Sequence, residues 1–214
     1  MLSRTLLLAL VPGAIAHYRL QWPTGRGFSE QNIVSGPCGG FDTVGARTEI
    51  PINNFPIQLS MEHTEVRGFV TIALGNNPGN AFNTVIKPVF QENGPENFCI
   101  GGVSIPASLN LTAGTNATIQ VVTNGDPLGG LYQCADVTFV DAPLSTSDYD
   151  SHCKNSTGVS ASFNGGAFPN GTSGASTASS GTARGSAAST ATSKALAAQQ
   201  TLAGWALGAM GLVG

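Results

Sequence analysis

Between residues 17 and 153 no stretch sustains the 3.6-residue period of a helix; apolar and polar side chains alternate in short runs fenced by Gly, Pro and Asn. Ile57, Leu59, Met61 and His63 share one face of a predicted strand, with Gln58, Ser60 and Glu62 on the other. Residues 70–74 run into the turn Gly75-Asn76-Asn77-Pro78-Gly79, and further strands are expected at 85–90, 107–111, 117–123 and 131–140. This spacing predicts an all-β fold, an antiparallel sandwich of the immunoglobulin-like kind. In such a fold strand ends and the N-terminus gather at one edge, where chemistry is expected.

The two ends of the chain set its context. Arg4, the apolar run from Leu6 to Val11, the breaker Pro12-Gly13 and the small-residue pattern Ala14-Ile15-Ala16 read as a secretory signal peptide over residues 1–16, so the mature chain is expected to begin at His17. Export implies an oxidising route, and Cys38, Cys99, Cys134 and Cys153 are then most simply two disulfides. Spacing alone admits three pairings; the expectation adopted is the nested one, Cys99 with Cys134 inside Cys38 with Cys153.

A Ser/Thr/Gly/Ala-rich segment at 172–193 gives way to Leu196, Leu202, Trp205, Leu207, Met210, Leu212 and Val213, with no charge after Lys194. Small residues, a polar spacer and an apolar tail form a glycosylphosphatidylinositol (GPI) attachment signal, with Gly185, Ser186 and Ala187 as candidate attachment residues. The tail is too short and Gly-rich to favour a transmembrane helix, and no basic stop follows it. The expected organisation is a signal peptide (1–16), one β-sandwich domain (17–153), a flexible stalk (154–187) and an anchor signal (188–214). The chain would then sit at the cell surface, on the outer leaflet of the plasma membrane or transferred to the wall.

The domain holds twelve acidic side chains against five basic ones, net −7. Such a surface disfavours nucleic acid and anionic membranes and suits cations. Sequons at Asn110, Asn116, Asn155 and Asn170 fit a glycosylated exterior protein.

His17, once exposed by cleavage, carries both an α-amine and an imidazole. These two nitrogens can chelate one ion, and a second imidazole gives a T-shaped set suited to Cu(II). The amine titrates at about 7.7–8.0 in reference peptides, so it yields its proton to a metal near neutral pH. The chain has three histidines. His63, expected to continue the inward face of a strand, is preferred as second ligand over His152, which adjoins Cys153 in an acidic stretch. Asp136 is the candidate oxygen ligand, because it lies in an otherwise apolar strand on one face with Tyr132 and Cys134, where a carboxylate needs compensation. Plainer readings stand beside these: His17 an ordinary terminus, His63 a hydrogen-bonded strand-end residue, Asp136 a partner for Arg26 or for backbone amides. Met61 is read as core rather than as a Cu(I) ligand, and Pro37-Cys38-Gly39-Gly40 as a stapled turn rather than a phosphate loop.

The start His17-Tyr18-Arg19-Leu20-Gln21-Trp22-Pro23-Thr24-Gly25-Arg26-Gly27-Phe28-Ser29-Glu30, then Gly36-Pro37-Cys38-Gly39-Gly40-Phe41 and Tyr132-Gln133-Cys134-Ala135-Asp136-Val137-Thr138, resembles the fungal lytic polysaccharide monooxygenase-like copper-acquisition proteins. The resemblance implies a β-sandwich holding one Cu(II) per domain in a histidine brace, with His17, His63 and Asp136 as ligands. It also implies copper uptake at a GPI-anchored cell surface, a copper transporter as partner, links to the cell wall or a host, and no polysaccharide cleavage. An anionic ligand such as Asp136 would favour Cu(II) and oppose oxygen chemistry. The alternatives are a copper-dependent polysaccharide monooxygenase, which would want flat exposed aromatics (Tyr18, Trp22 and Tyr132 are the candidates), and a wall or adhesion module.

Overall fold

The computed structural model describes residues 17–125, 129–163 and 166–167. Within them the strands are β1 (Tyr18–Trp22), β2 (Arg47–Pro51), β3 (Phe55–Met61), β4 (Glu65–Leu74), β5 (Thr84–Asn93), β6 (Glu96–Val103), β7 (Asn116–Asn124), β8 (Gly130–Val140), β9 (Ser160–Phe163) and β10 (Gly166–Ala167), with one short helix, α1 (Thr146–Ser151). β1-β3-β6 form a three-stranded sheet and β10-β9-β5-β4-β7-β8-β2 a seven-stranded one. The expected all-β, two-sheet, two-disulfide arrangement is what the chain forms. Its pairings are antiparallel except that β2 runs parallel to β8, with Arg47 opposite Asp136.

The two-residue period decides what each sheet buries. Leu131, Ala135, Val137 and Phe139 of β8 join the core with Ala117, Ile119 and Val121 of β7, Val66, Val70 and Ile72 of β4, and Phe55, Ile57, Leu59 and Met61 of β3. Tyr18 and Leu20 of β1 enter the same core, and the Tyr18 hydroxyl donates to the Val121 carbonyl at 2.6 Å. Gln133, on the inner face of β8, ties the sheets together: its Oε1 accepts from Leu20 N at 3.0 Å and its Nε2 donates to the Tyr18 carbonyl. Tyr132, Cys134 and Asp136 therefore face away from β1.

The segment between β1 and β2 covers that outer face and the free edge of β8. Arg26 N donates to the Cys134 carbonyl at 2.8 Å, Tyr132 N to the Ile33 carbonyl at 2.8 Å, and Gln120 Nε2 to the Pro37 carbonyl at 2.9 Å. This placement corrects the nested disulfide expectation. The bonds are Cys38–Cys134 and Cys99–Cys153, each with Cα atoms 5.1 Å apart. Cys134 points to the outer face, where the covering segment brings Cys38. Cys99 lies on β6 in the other sheet, where the chain leaving α1 brings Cys153.

Two boundaries also differ. Residues 107–111 are not a strand: Pro106 opens a 3-10 turn at Ala107–Leu109 that Asn110 closes in the left-handed region at φ 46°. Nor does the folded domain stop at Cys153. Asn155 Oδ1 accepts from Cys99 N at 2.7 Å, Ser156 N donates to the Asn97 carbonyl at 2.9 Å, and β9 pairs with β5. The signal peptide, the attachment residues Gly185, Ser186 and Ala187, Asn170 and most of the stalk lie outside the described residues.

Candidate metal centre

β1 and β3 pair with Tyr18 opposite Met61, so His17 falls opposite Glu62 just beyond the strand ends. Glu62 N donates to the His17 carbonyl at 3.0 Å, closing that end of the small sheet. The side chain of His17 is 7% exposed. Among the described residues its Nε2 has no hydrogen-bond partner, and its Nδ1 stands 3.8 Å from Glu62 Oε2, too long for a hydrogen bond. Phe28 meets the imidazole edge-on with ring centroids 5.9 Å apart, and the Arg19 guanidinium lies 4.0 Å over the other ring of that pair, Phe28. Arg19 Nε also reaches Glu62 Oε1 at 3.4 Å.

His63 lies in the turn between β3 and β4, half-buried, rather than on the inward face of the strand, because β3 ends at Met61. The turn places it beside Glu62 and hence at the end of the small sheet where His17 lies. Among the described residues it makes no hydrogen bond, ion pair or ring contact. His152 lies elsewhere: it closes α1 and stacks on Trp22, at the far end of β1, with ring centroids 4.8 Å apart and planes at 18°.

Asp136 is not gathered with these groups. Its carboxylate is fully buried on the outer face of β8, opposite to the face that carries β1. Arg26 grips it with Nε to Oδ2 and Nη2 to Oδ1, both at 2.8 Å, while Thr118 Oγ1 donates to Oδ1 at 2.6 Å and Gly45 N to Oδ2 at 2.7 Å. Burial raises its pKa, but the bonds from Arg26, Thr118 and Gly45 outweigh that and hold the group ionised below its usual range. With four donors on two oxygens, Asp136 is a structural anion. The reading in which it partners Arg26 holds, and the expected grouping of Asp136 with His17 and His63 is not what the described residues form. Breaking such a buried pair by removing one member typically costs about 3–5 kcal/mol.

Among the described residues no three His, Cys, Asp or Glu side chains converge on a common point that would hold a metal ion. Any ion bound at this edge therefore needs a donor beyond these side chains. Sequence reasoning missed Glu62. Its signal is the β1–β3 register, which sets it opposite His17, and this is not a local property of either segment.

The arrangement defines a disulfide-clamped, two-sheet β-protein whose first strand is preceded by a buried imidazole with no hydrogen-bond partner for its Nε2 among the described residues. A sequence profile described as copper acquisition factor BIM1-like matches residues 15–158. The chain belongs to the BIM1-like copper acquisition factor family. An uncharacterised protein of Aspergillus fumigatus is 42% identical over 171 residues, covering 77% of this chain and 70% of that protein. The lytic polysaccharide monooxygenase-like protein X325 of Yarrowia lipolytica is 32% identical over 168 residues (75% of this chain, 62% of that one). Copper acquisition factor BIM1 of Cryptococcus neoformans var. neoformans is 32% identical over 138 residues (59% and 62%). The chain thus spans about six-tenths of the length of the latter two. Among solved structures, an AA10 lytic polysaccharide monooxygenase from Streptomyces lividans is similar with a TM-score of 0.35 and 17% identity, covering 57% of this chain and 81% of that one.

Proposed function

We propose that this chain is a non-catalytic Cu(II)-binding protein of the cell surface, capturing one ion per domain at His17 and handing it to a copper transporter. The observation that carries this reading is the state of His17: a buried imidazole that makes no hydrogen bond among the described residues, its Nδ1 3.8 Å from Glu62 Oε2, at the residue where signal cleavage would create an α-amine. Amine and Nδ1 of one residue chelate a single ion, and His63 in the adjoining turn would supply the third nitrogen. Nitrogen donors in this number favour Cu(II) among the divalent first-row ions.

The non-catalytic part of the reading has its own support. A polysaccharide-cleaving surface needs flat exposed aromatics, yet Tyr18 is 1% and Trp22 7% exposed, and Tyr132 is half-buried. Low reactivity is not owed to Asp136, which Arg26 holds away from the edge. Placement on a GPI anchor, on membrane or wall, rests on the sequence of the C-terminal tail.

The test is copper titration followed by electron paramagnetic resonance on two recombinant forms, one beginning at His17 and one carrying an additional N-terminal residue. A one-to-one axial signal with nitrogen coupling, lost in the extended form, is the expected result. Equal weak binding by both forms would remove His17 from the centre of any site.

A further inference from the structure

Glu62 meets His17 twice, through its backbone N–H at 3.0 Å from the His17 carbonyl and through Oε2 at 3.8 Å from Nδ1. A hydrogen-bonded pair would stand at about 2.7–3.2 Å. Two donors each about 2.0–2.2 Å from a shared first-row ion stand roughly 2.8–4.4 Å apart, and the observed separation falls in that span. His17 Nε2 is buried with no hydrogen-bond partner among the described residues, and Nδ1 makes only the long contact to Glu62. The other oxygen of Glu62 faces Arg19 Nε at 3.4 Å, and the guanidinium is itself kept in place over Phe28. The carboxylate at this edge is thus shared between an imidazole and a guanidinium, with a long hydrogen bond to Arg19 and none to His17.

We propose that Glu62 is the carboxylate donor to the ion held at His17, and that Arg19 is its counter-charge when no ion is bound. This assignment rests on the copper reading of His17. It gives the edge an oxygen donor that Asp136, saturated by four hydrogen bonds on the opposite face of β8, does not provide. On loading, the carboxylate turns from Arg19 toward the ion, and the freed guanidinium keeps its cation–π contact with Phe28. Arg19 therefore competes with the metal for Glu62.

The experiment uses the domain beginning at His17 and its Glu62→Gln and Arg19→Gln variants, with Cu(II) affinity from chelator competition and the coordination set from electron paramagnetic resonance. Both side chains are largely exposed, 42% and 51% respectively, so folding is expected to survive; unchanged circular dichroism checks this. Glu62→Gln should weaken Cu(II) binding by about 10–100-fold and shift the copper hyperfine splitting. Arg19→Gln should leave the spectrum unchanged and the affinity equal or higher. Glu62→Gln with native affinity and spectrum would overturn the assignment, and a loss in Arg19→Gln as large as in Glu62→Gln would overturn the competition. Binding that survives an added residue before His17 would instead sink the brace, so the two failures are separable.

Discussion

Glu92 carries a carboxyl group into the space between the two sheets. It shares the inner face of β5 with Phe90, which packs on Phe98 of the opposite sheet, and its strand neighbours are Val66 on β4 and Ala161 on β9. It is 0% exposed, and among the described residues neither oxygen has a hydrogen-bond partner. Burial without donors pushes its pKa up to about 8, so the folded protein keeps this proton where the unfolded chain has lost it. Between the unfolded value of about 4.3 and the folded value the native state binds more protons, so stability falls as pH rises through that window. The melting temperature is expected to drop by roughly 5–10 °C from pH 5 to pH 8.5, and Glu92→Gln should flatten that slope in matched thermal melts. Equal slopes in the two proteins would show that the carboxyl ionises without cost. Asp136 met the same problem with Arg26, and the sequence exposed it as an acid in an apolar strand sharing a face with Tyr132 and Cys134. A two-residue period says which residues face together, not which face is the core, and so it left the role of Asp136 open.

At the level of elements, the strands with strong alternation were readable and those defined by their partners were not. β9 is Ser160-Ala161-Ser162-Phe163, small and polar enough to pass for stalk, and it is a strand because β5 offers it an edge. The end of β3 at Met61 was equally hidden, since nothing in Glu62-His63-Thr64 breaks the pattern by itself. The same elements separate the sequons. Asn116 opens β7 with Nδ2 donating to Asn76 Oδ1 at 2.7 Å and Oδ1 accepting from Thr138 at 2.6 Å, while Thr118 of its sequon is 0% exposed. A sugar on that nitrogen would displace Asn76 and crowd the strand. Asn155 instead spends only its carbonyl oxygen, on Cys99 N, and Asn110 is exposed at the end of its turn. Peptide mass spectrometry of protein made in a secretory host should find glycans on Asn155 and Asn110 and none on Asn116; full occupancy at Asn116 would mean that β7 forms around a sugar.

Across the whole molecule, two sheets and two disulfides followed from alternation and from four cysteines on an export route, whereas their connection did not. The pairing Cys38–Cys134 depends on the β1–β2 segment crossing the outer face of β8, and β2 runs parallel to β8 only because that long segment returns it to the same end. Among the described residues no helix is long and apolar enough to cross a membrane. If the chain is held by its C-terminal tail, tension enters through β10 and β9 at the edge of the large sheet, and those strands can peel from β5 one pair at a time. The peeling stops at Cys153, where the bond to Cys99 hands the load to β6. Only about 14 residues can pay out before that clasp, an extension of roughly 5 nm, and single-molecule pulling should show that step and then a plateau that disappears under reductant. Held in this way, the tether would be sacrificial, yielding first under shear from flow or a neighbouring cell before the load reaches the small sheet through β6.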